Sequence, residues 1–388
     1  ADLDNFYPQT GQKILKLNSF DIEKTNDNLL KATVTEEDGS KETVALGHVD
    51  HNGAVSAILN NLTDEKEGCI KSYDEIDAVG HRVVHGGEKF NKSVLITQEV
   101  IDKVKECYDI APLHNPVNIA GIDAISSILP DVPQVGVFDT AFHQTMPAKS
   151  YMYALPYKFY KEDGVRRYGF HGTSHRYVSQ RVCDFLGVNA ADKKIITCHI
   201  GNGASIAAVK NGKCVDTSMG LTPLEGLIMG TRSGDIDAGA VTFIMDKLQL
   251  DTQGLSNLLN KKSGLTGVSE LSSDFRDILA GIANGNDKAR LAKEMYTYRI
   301  KKYIGQYAAA MGGVDIILFT GGAGENQWEV REGATCGLEF MGVKMDAEKN
   351  RACRATEAII SQEGSPVTVC VIPTDEELMI AQDTQALV

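Results

Sequence analysis

The chain has 388 residues, of which 43% are hydrophobic and 23% are charged, and its formal net charge at pH 7 is −13. This charge argues against a nucleic-acid partner, whose phosphates need a basic surface, but it leaves room for a locally basic site that binds a small phosphate ligand. The length favours two domains, and the sequence has neither an apolar run long enough for a membrane span nor a signal-peptide pattern at its start.

The first 62 residues predict a small antiparallel meander followed by a helix. Strand-like runs lie at 14–17, 29–34 and 42–46, and a helical pattern covers 52–62. We infer least from this part of the chain. The patterns that indicate chemistry begin after it.

Two strand-like runs carry charged side chains. Arg82 lies in a run that ends in Gly86 and Gly87, and a buried guanidinium is costly unless it meets an anion. That anion is either a ligand, which the open glycine segment favours, or a structural carboxylate. The run at 134–138 delivers Asp139 at its carboxyl end, where α/β proteins place reactive groups, although an aspartate there also serves as a helix cap or a turn former.

The segment 193–205 is the one around which we organise the rest. A β-branched, apolar run at 195–198 leads to a Gly-Asn-Gly turn at 201–203, and a second strand-like run follows at 204–209. Glycine amides in such a turn can converge on phosphate oxygens. An ordinary hairpin fits the same residues, because Asn-Gly is a common hairpin turn, so both interpretations stay open on this stretch alone.

The histidines cluster in the middle of the chain. Seven of the nine lie between His81 and His199, and loop histidines that donate hydrogen bonds to an anion suit a polar cleft. His171 and His175 are four residues apart, which also suggests a metal site. However, the chain has no HExxH motif and no cysteine or glutamate at zinc spacing, so zinc is the disfavoured interpretation.

The second half of the chain again has strands that end in glycines. Arg232 lies between Gly230 and Gly234, and a run at 315–319 ends in 320–326, where we expect a helix to begin near Asn326. The remaining predicted elements are helices at 98–108, 117–129, 238–247, 252–260, 274–283, 288–311 and 376–387 and strands at 214–217 and 367–372.

Two helices of this half carry further expectations. In the longest helix, apolar and aromatic side chains at 296, 300, 303, 304 and 307 follow a helical period, which predicts a core face or a subunit interface. We expect the final helix to pack back on the first domain. The chain has no GxxxxGK[ST] motif and no dinucleotide-binding glycine spacing, so its glycine junctions, arginines and histidines indicate phosphoryl chemistry between two α/β lobes by another route.

Seven motifs in matching order resemble the acetokinase family. They are GHRVVHGGE (80–88), APLHNP (111–116), VFDTAFHQTMP (137–147), RRYGFHGTSH (166–175), CHIGNGAS (198–205), DTSMGLTPLEGLIMGTRSGDID (216–237) and FTGGAGEN (319–326). The resemblance implies the α/β fold of the actin, Hsp70 and sugar-kinase superfamily, with two actin-like, ribonuclease H-like domains and a nucleotide cleft between them. An N-terminal domain, 1–141, would be rejoined by the C-terminal helix, 374–388, and a nucleotide-binding domain would span 142–373.

The resemblance also implies an activity and a set of site residues. The reaction would be reversible phosphoryl transfer between ATP and acetate, giving acetyl phosphate and ADP, with Mg²⁺ or Mn²⁺; propionate or butyrate is the alternative acceptor. Arg82 and Arg232 would bracket the carboxylate and the phosphoryl group, Asp139 would orient the attacking oxygen, and His171 would donate to the transition state. The other implied residues are Val84, Leu113, Phe170 and Pro223 for the methyl pocket, His199, Ile200, Gly201, Asn202, Gly203, Asp274, Phe275, Arg276, Gly322, Ala323, Gly324, Glu325 and Asn326 for the nucleotide, Glu376 for the metal, and His114 as a supporting cleft residue.

The front of the chain departs from the family pattern. Members open with a strand and an Asn-x-Gly-Ser-Ser-Ser turn that contacts phosphate and metal, and only a faint echo is present at 17–19. Since the chain begins with Ala, we expect that a natural N-terminal segment precedes it. The alternative is a catalytically impaired nucleotide-binding protein that lacks this phosphate loop.

The expected partners are small molecules only. They are acetate, acetyl phosphate, ATP and ADP, with no nucleic acid and no membrane, and the resemblance adds a homodimer. The eight cysteines form no CxxC pair and several lie in apolar runs, which favours reduced thiols in a cytoplasmic protein.

Overall fold

The computed structural model describes the backbone of residues 20–24, 30–35, 41–47 and 51–52, and the side chains as well over 53–65, 68–112 and 114–388. The strand predicted at 14–17 and the pocket residue Leu113 lie outside these residues. Within the described ranges, no helix is both long enough and apolar enough to cross a membrane.

The elements up to residue 186 include both strands and helices. In chain order they are β1 (Phe20–Lys24), β2 (Leu30–Thr35), β3 (Lys41–Gly47), α1 (His51–Leu62), β4 (Val79–Val83), β5 (Val94–Leu95), α2 (Gln98–Lys105), α3 (Asn115–Ile128), β6 (Gln134–Phe138), α4 (Ala148–Tyr151), α5 (Tyr157–Asp163) and α6 (Gly172–Leu186). The antiparallel pairing of the predicted strands at 29–34 and 42–46 is confirmed by β2 and β3, whereas the strand that pairs with β2 on its other side is β1, which was not predicted.

The elements after residue 186 include the longest helix. They are β7 (Lys194–Ile200), β8 (Ala204–Lys210), β9 (Lys213–Thr217), α7 (Ala238–Lys247), α8 (Thr252–Lys261), α9 (Gly264–Ser269), α10 (Phe275–Ala283), α11 (Asp287–Met311), β10 (Ile316–Thr320), α12 (Gly321–Asn326), α13 (Trp328–Thr335), α14 (Ala347–Ala352), β11 (Ala358–Ile359), β12 (Thr368–Val371) and α15 (Glu376–Leu387). Short 3-10 helices lie at Tyr73–Glu75, Ala141–Thr145, Ala190–Asp192 and Glu339–Met341.

A small sheet in the order β4-β6-β5 carries two of the predicted site residues. Strands β4 and β6 are parallel, and Arg82 pairs in register with Val137. The backbone N–H of Asp139 donates to the carbonyl of Val83 at 3.0 Å, so the chain just beyond β6 stays beside the end of β4. This register places the guanidinium and the carboxylate at the same edge of the sheet.

The large sheet has the order β11-β12-β10-β7-β8-β9 and separates two hydrophobic clusters. Along β10, Ile317 and Phe319 face the cluster that contains α11, while Ile316 and Leu318 face the cluster that contains Val178 of α6. This alternation is the two-residue period of a strand buried on both faces. The stripe at 296, 300, 303, 304 and 307 lies in the first cluster, so it is core.

Helix α15 packs against β4 and β6. A Cβ added at Gly80 of β4 would lie 2.5 Å from Ile380 Cγ2 and from Thr384 Oγ1, so this crossing requires glycine. Asp383 of the same helix accepts hydrogen bonds from Ser93 and from Arg176. The final helix therefore links the small sheet to α6.

A helix begins near Asn326 as predicted, since α13 starts at Trp328, but a short helix that was not predicted precedes it. The glycine segment itself forms α12, starting at Gly321. Glu325 Oε1 accepts the Gly321 N–H at 2.8 Å and the Thr320 hydroxyl at 3.2 Å, which satisfies donors at the start of the helix. The sequence pattern also gave no indication of α6, whose first turn is polar and glycine-containing.

A buried arginine fixes the end of α12. Arg331 has no exposed surface, and its guanidinium donates to Asn350 Oδ1 at 2.7 Å and to the carbonyls of Gly324, Glu325, Asn350 and Cys353 at 2.8–3.0 Å. These bonds use all five of its N–H groups. Burial lowers the pKa of Arg331 to about 10.

We expect Arg331→Met to lower the free energy of unfolding by about 3 kcal/mol or more, because several buried carbonyls lose their only side-chain donor. Urea unfolding followed by circular dichroism measures the effect. Arg290→Ala is the control, since Arg290 is 55% exposed and its partner Asp287 lies 4.0 Å away. Equal unfolding midpoints for Arg331→Met and the wild-type chain would contradict this assignment.

Candidate active site

Arg82 and Asp139 form a two-point ion pair at the edge of the small sheet. Arg82 Nε donates to Asp139 Oδ1 at 2.9 Å, and Nη2 donates to Oδ2 at 2.6 Å. Asp139 is 1% exposed, whereas the Arg82 side chain is 46% exposed. Of the two interpretations of Arg82, the structure shows pairing with a carboxylate, but that carboxylate is the predicted catalytic Asp139. Asp139 lies in the turn after β6, and the N-cap of the 3-10 helix that follows is Thr140 rather than Asp139.

Glu376 lies on the other side of the same guanidinium. Its Oε2 is 3.8 Å from Arg82 Nε, because α15 begins at this edge of the sheet. Burial raises the pKa of Glu376 to about 7, although the charge of Arg82 acts in the opposite direction. The site thus holds two carboxylates, Asp139 and Glu376, around the guanidinium of Arg82. The charge of Arg82 compensates the charge of Glu376 only weakly.

Arg232 is a second, partly buried guanidinium, and within the described residues no carboxylate forms an ion pair with it. Its Nη1 donates to the Pro223 carbonyl at 3.1 Å. A Cβ added at Gly203 would lie 3.5 Å from this Nη1 and 3.5 Å from His171 Nε2. Burial lowers the pKa of Arg232, which is the effect of a cation that lacks a counter-charge.

The two arginines share their cleft with three histidines. Burial is the largest cause of the lowered pKa of His171 and of His114, and the charges of Arg82 and Arg232 lower both further. His171 stacks on His199 with ring centroids 4.2 Å apart, and burial lowers the pKa of His199 to about 4. The structure therefore brings the four predicted catalytic side chains to one place, together with the supporting histidines.

The Gly-Asn-Gly turn is a hairpin that lies against this cleft. Strands β7 and β8 pair antiparallel, and the Gly201 N–H donates to the Gly203 carbonyl at 3.0 Å. The Asn202 carbonyl accepts the Gly230 N–H at 3.0 Å, and a side chain at Gly230 would overlap Asn202 Oδ1. The hairpin interpretation is confirmed, and its Gly203 lies beside Arg232 and His171, while the phosphate interpretation stays a prediction.

The predicted nucleotide residues lie on both sides of this turn. A Cβ at Gly201 would be 4.0 Å from the Gly322 nitrogen of α12, and a Cβ at Gly230 would be 3.2 Å from Ser273, next to Asp274. Asp274 caps α10 and forms an exposed ion pair with Arg276 at 2.5 Å.

Three of the predicted nucleotide side chains have structural roles. Phe275 is 6% exposed and packs against Tyr296 in the core, so a direct contact of its ring with a nucleotide does not fit this structure. Glu325 caps α12, and Asn326 Nδ2 donates to the Gly322 carbonyl at 3.0 Å. Both hold the glycine segment in its helical form.

The described residues of the predicted methyl pocket are Phe170, Val84 and Pro223. Phe170 is buried in the large cluster, and Val84, which follows β4, packs against the same cluster. Pro223 presents its carbonyl to Arg232, as described above. Of these three residues, the structure places Pro223 in contact with Arg232, and a methyl pocket formed by all three stays a prediction.

The loop that carries Arg232 rests on a charged network that the sequence patterns did not reveal. Arg167 donates to the Thr217 carbonyl at 2.6 Å and to Glu225 at 2.5 Å, and Glu225 also accepts from Tyr153 at 2.5 Å. Burial raises the pKa of the nearby Asp216 to about 6. The sign of this network in the sequence was the adjacent pair Arg166 and Arg167. Such a pair alone indicates basic surface, because the loop that packs on it is recognised only in the structure.

We expect Asp216→Asn to stabilise the chain at pH 8 by about 2–3 kcal/mol, because the folded pKa is raised above the ordinary value of 3.8. The wild-type chain loses stability as the pH rises through this interval, whereas the amide does not ionise and can still accept the Thr217 N–H. The advantage should vanish as the pH falls from 6 to 4. Urea unfolding across pH 4–8 measures it, with exposed Asp246→Asn as control, and a pH-independent difference would contradict the role of burial.

Residues 13–382 match the sequence model of the Acetokinase family. A Phocaeicola vulgatus protein named acetate kinase is 66% identical over 360 residues, which cover 93% of this chain and 90% of that protein. The crystal structure of Porphyromonas gingivalis acetate kinase has a TM-score of 0.92 and 57% identity, covering 96% of this chain and 93% of that one. A propionate kinase from Francisella tularensis has a TM-score of 0.86 and 42% identity, covering 92% and 90%. The α/β fold class and the two-domain, actin-like architecture are thereby confirmed.

Proposed function

The chain belongs to the acetokinase family, and we propose that it catalyses reversible transfer of the γ-phosphoryl group of ATP to acetate, giving acetyl phosphate and ADP. The observation that carries this proposal is the Arg232 guanidinium, which has no counter-charge in the described chain and lies beside His171 in the cleft of the Arg82–Asp139 pair. A buried cation without a partner is costly, so such a site favours an anionic ligand.

The roles of the four catalytic residues follow from charge and position. Phosphoryl transfer needs little covalent help and much positioning and neutralisation of charge. Asp139 occupies Nε and one edge of Nη2 on Arg82, which leaves Nη1 for the carboxylate of the acceptor. Arg232 and His171, which lie on the other side of the cleft, bind oxygens of the transferring phosphoryl group.

The residues present fit a divalent cation. Asp139 and Glu376 are carboxylates near one guanidinium, and oxygen donors of this kind suit Mg²⁺ or Mn²⁺. We assign Glu376 as a protein ligand of the cation, with Asp139 beside it. When bound, the cation neutralises charge on the phosphate oxygens.

The nucleotide has two candidate contact regions. Gly201, Asn202 and Gly203 offer backbone amides to the phosphates next to Arg232, with His199 and Ile200 at the end of β7 behind them. The adenosine would lie between the segment at 274–276 and the helical glycine segment at 322–326. In this arrangement Phe275, Glu325 and Asn326 shape the pocket through packing and capping rather than through their own side-chain contacts.

The larger organisation is also proposed. Residues 1–141 with the C-terminal helix form one lobe and 142–373 the other, which the packing of α15 on β4 and β6 supports. A homodimer is supported by α7, which buries none of its residues and leaves Phe243 65% exposed. All eight cysteines are free, which suits the reducing cytoplasm.

The reaction is tested by trapping acyl phosphate with hydroxylamine after incubation of the chain with MgATP and acetate, propionate or butyrate. We expect kcat/KM to fall in that order, by about 10–200-fold for the first added methylene, since one methylene in an apolar pocket contributes about 1–3 kcal/mol. Equal values for acetate and butyrate would contradict the acceptor assignment. Binding of ATP without formation of acyl phosphate would contradict the reaction.

We expect Arg232→Ala to lower kcat by about 10²-fold or more, because the transition state loses a preorganised cation. The thermal unfolding midpoint should change little, since this guanidinium has no ion pair to lose in the described chain. Arg290→Ala is the matched control for removal of an arginine. Near-normal turnover in Arg232→Ala would remove Arg232 from the mechanism.

A further inference from the structure

A chain of four hydrogen-bonding side chains leads from the cleft into the core. His171 Nδ1 is 2.9 Å from Ser205 Oγ, and the same oxygen is 2.8 Å from His175 Nε2. His175 Nδ1 is in turn 2.7 Å from Thr197 Oγ1. Ser205, His175 and Thr197 are fully buried, so no water competes for these bonds.

The open end of this chain is His171 Nε2. It points to the hairpin turn, where a Cβ at Gly203 would lie 3.5 Å from it and from Arg232 Nη1. Within the described residues, no protein group hydrogen-bonds to this nitrogen. It is therefore the atom of His171 that meets a ligand.

The orientation of the His171 ring is already fixed. Its backbone is left-handed, with a φ of 54° at the N-cap of α6, which is costly for a residue other than glycine. The ring also stacks on His199 at a centroid distance of 4.2 Å. With backbone and ring held, the remaining freedom is which nitrogen carries the proton.

Burial lowers the pKa of both His171 and His175 well below the ordinary value, so each ring is neutral at pH 7 and has a single N–H. Ser205 has one hydroxyl proton, and the described residues offer it no acceptor other than the two ring nitrogens, so one ring accepts that proton and the other donates to Ser205 Oγ. Only two complete arrangements then exist. One ends in a bare Nε2 on His171, and the other ends in an Nε2–H.

The distances favour the second arrangement. A bare Nε2 requires His175 Nδ1 to donate to Thr197, whose own proton then has only the Ala207 carbonyl at 3.4 Å. In the opposite direction Thr197 donates to His175 Nδ1 at 2.7 Å, His175 Nε2 donates to Ser205, and Ser205 donates to His171 Nδ1. The three distances along the chain of side chains are the same in either direction, so this direction is favoured because the Thr197 proton then has an acceptor at 2.7 Å rather than at 3.4 Å.

We propose that Ser205, His175 and Thr197 are positioning residues that hold His171 as the Nε2–H tautomer, so that a neutral imidazole donates a hydrogen bond to the transferring phosphoryl group. This role rests on the proposed function. A neutral donor of this kind needs no proton from solvent at the moment of reaction and keeps its direction through the catalytic cycle.

The tautomer is measured directly by NMR on the full chain labelled with ¹⁵N-histidine, in two-bond ¹H–¹⁵N correlation spectra at pH 7.5. The His171 signals are identified by their loss in His171→Gln. We expect the pattern of an Nε2–H ring in the wild-type chain, and a shift toward Nδ1–H in Ser205→Ala.

The kinetic readout uses the same variants in the hydroxylamine assay. Ser205→Ala should lower kcat about 10-fold or more, short of the ~10²–10³-fold cost of losing a whole transition-state donor, with KM for acetate and ATP unchanged within about twofold. Thr197→Val keeps the shape and the β-branching of Thr197, and we expect a smaller loss of kcat in the same direction. It also provides the test if Ser205→Ala does not fold.

The matched control is Ser179→Ala, which removes a buried serine of α6 that donates only to the Arg176 carbonyl at 3.0 Å. Neither the His171 tautomer nor kcat should change in it. A His171 ring with the proton on Nδ1 in the wild-type chain would overturn the proposal. An unchanged kcat in both Ser205→Ala and Thr197→Val would also overturn it. A wild-type chain that makes no acyl phosphate would contradict the proposed function, while the spectra would still decide the tautomer.

Discussion

The site depends on the unequal pairing of two guanidinium groups. Arg82 meets Asp139 through two short hydrogen bonds because their strands are parallel, adjacent and in register. Arg232 meets only carbonyl oxygen and methionine sulfur in the described chain. Arg82 is thus held by a carboxylate of the protein, whereas Arg232 is available to an anionic ligand. In a chain of net charge −13, the guanidinium of Arg232 thus stays a locally uncompensated positive charge.

The neutral histidines are the complement of this arrangement. Charged imidazoles beside Arg82 and Arg232 would add electrostatic repulsion, and burial prevents it by lowering the pKa of His171 and His199. The hydroxyl groups of Ser205 and Ser174 accept or donate at the Nδ1 atoms of these rings, at 2.9 and 2.8 Å. The arginines therefore supply positive charge to the site, and the histidines supply hydrogen bonds of fixed direction.

Much of this could be predicted from the sequence because strands that end in glycine or acidic residues are local patterns. The bounds of β6 and of α15 follow from apolar runs and caps, and Asp139 and Arg232 stand out by their neighbours. Arg331 and Arg167 do not, since a buried arginine bound mainly to backbone carbonyls leaves no mark in residue type or spacing. Phe275 shows the opposite error, because a residue that the family resemblance assigns to the nucleotide site lies in the hydrophobic core.

The chain of hydrogen bonds from His171 through Ser205 and His175 to Thr197 could not be predicted from the sequence for a different reason. Ser205 lies opposite His199 across the hairpin, and its two histidine partners come from α6, a helix whose polar first turn gave no helical period. Only the packing of α6 against β7 brings these rings to the serine. Such contacts depend on tertiary structure, and a single sequence does not contain them as a pattern.

The position of α15 has a consequence for how the protein is made. Glu376 and the residues that close over Gly80 belong to a helix that follows both sheets in the chain. During synthesis the strands of the small sheet therefore emerge before α15, which covers them, and Glu376 emerges after both Arg82 and Asp139. A nascent chain can form the β7–β8 hairpin before α15 is synthesised, and this edge of the small sheet gains its second carboxylate only when that helix packs on β4 and β6.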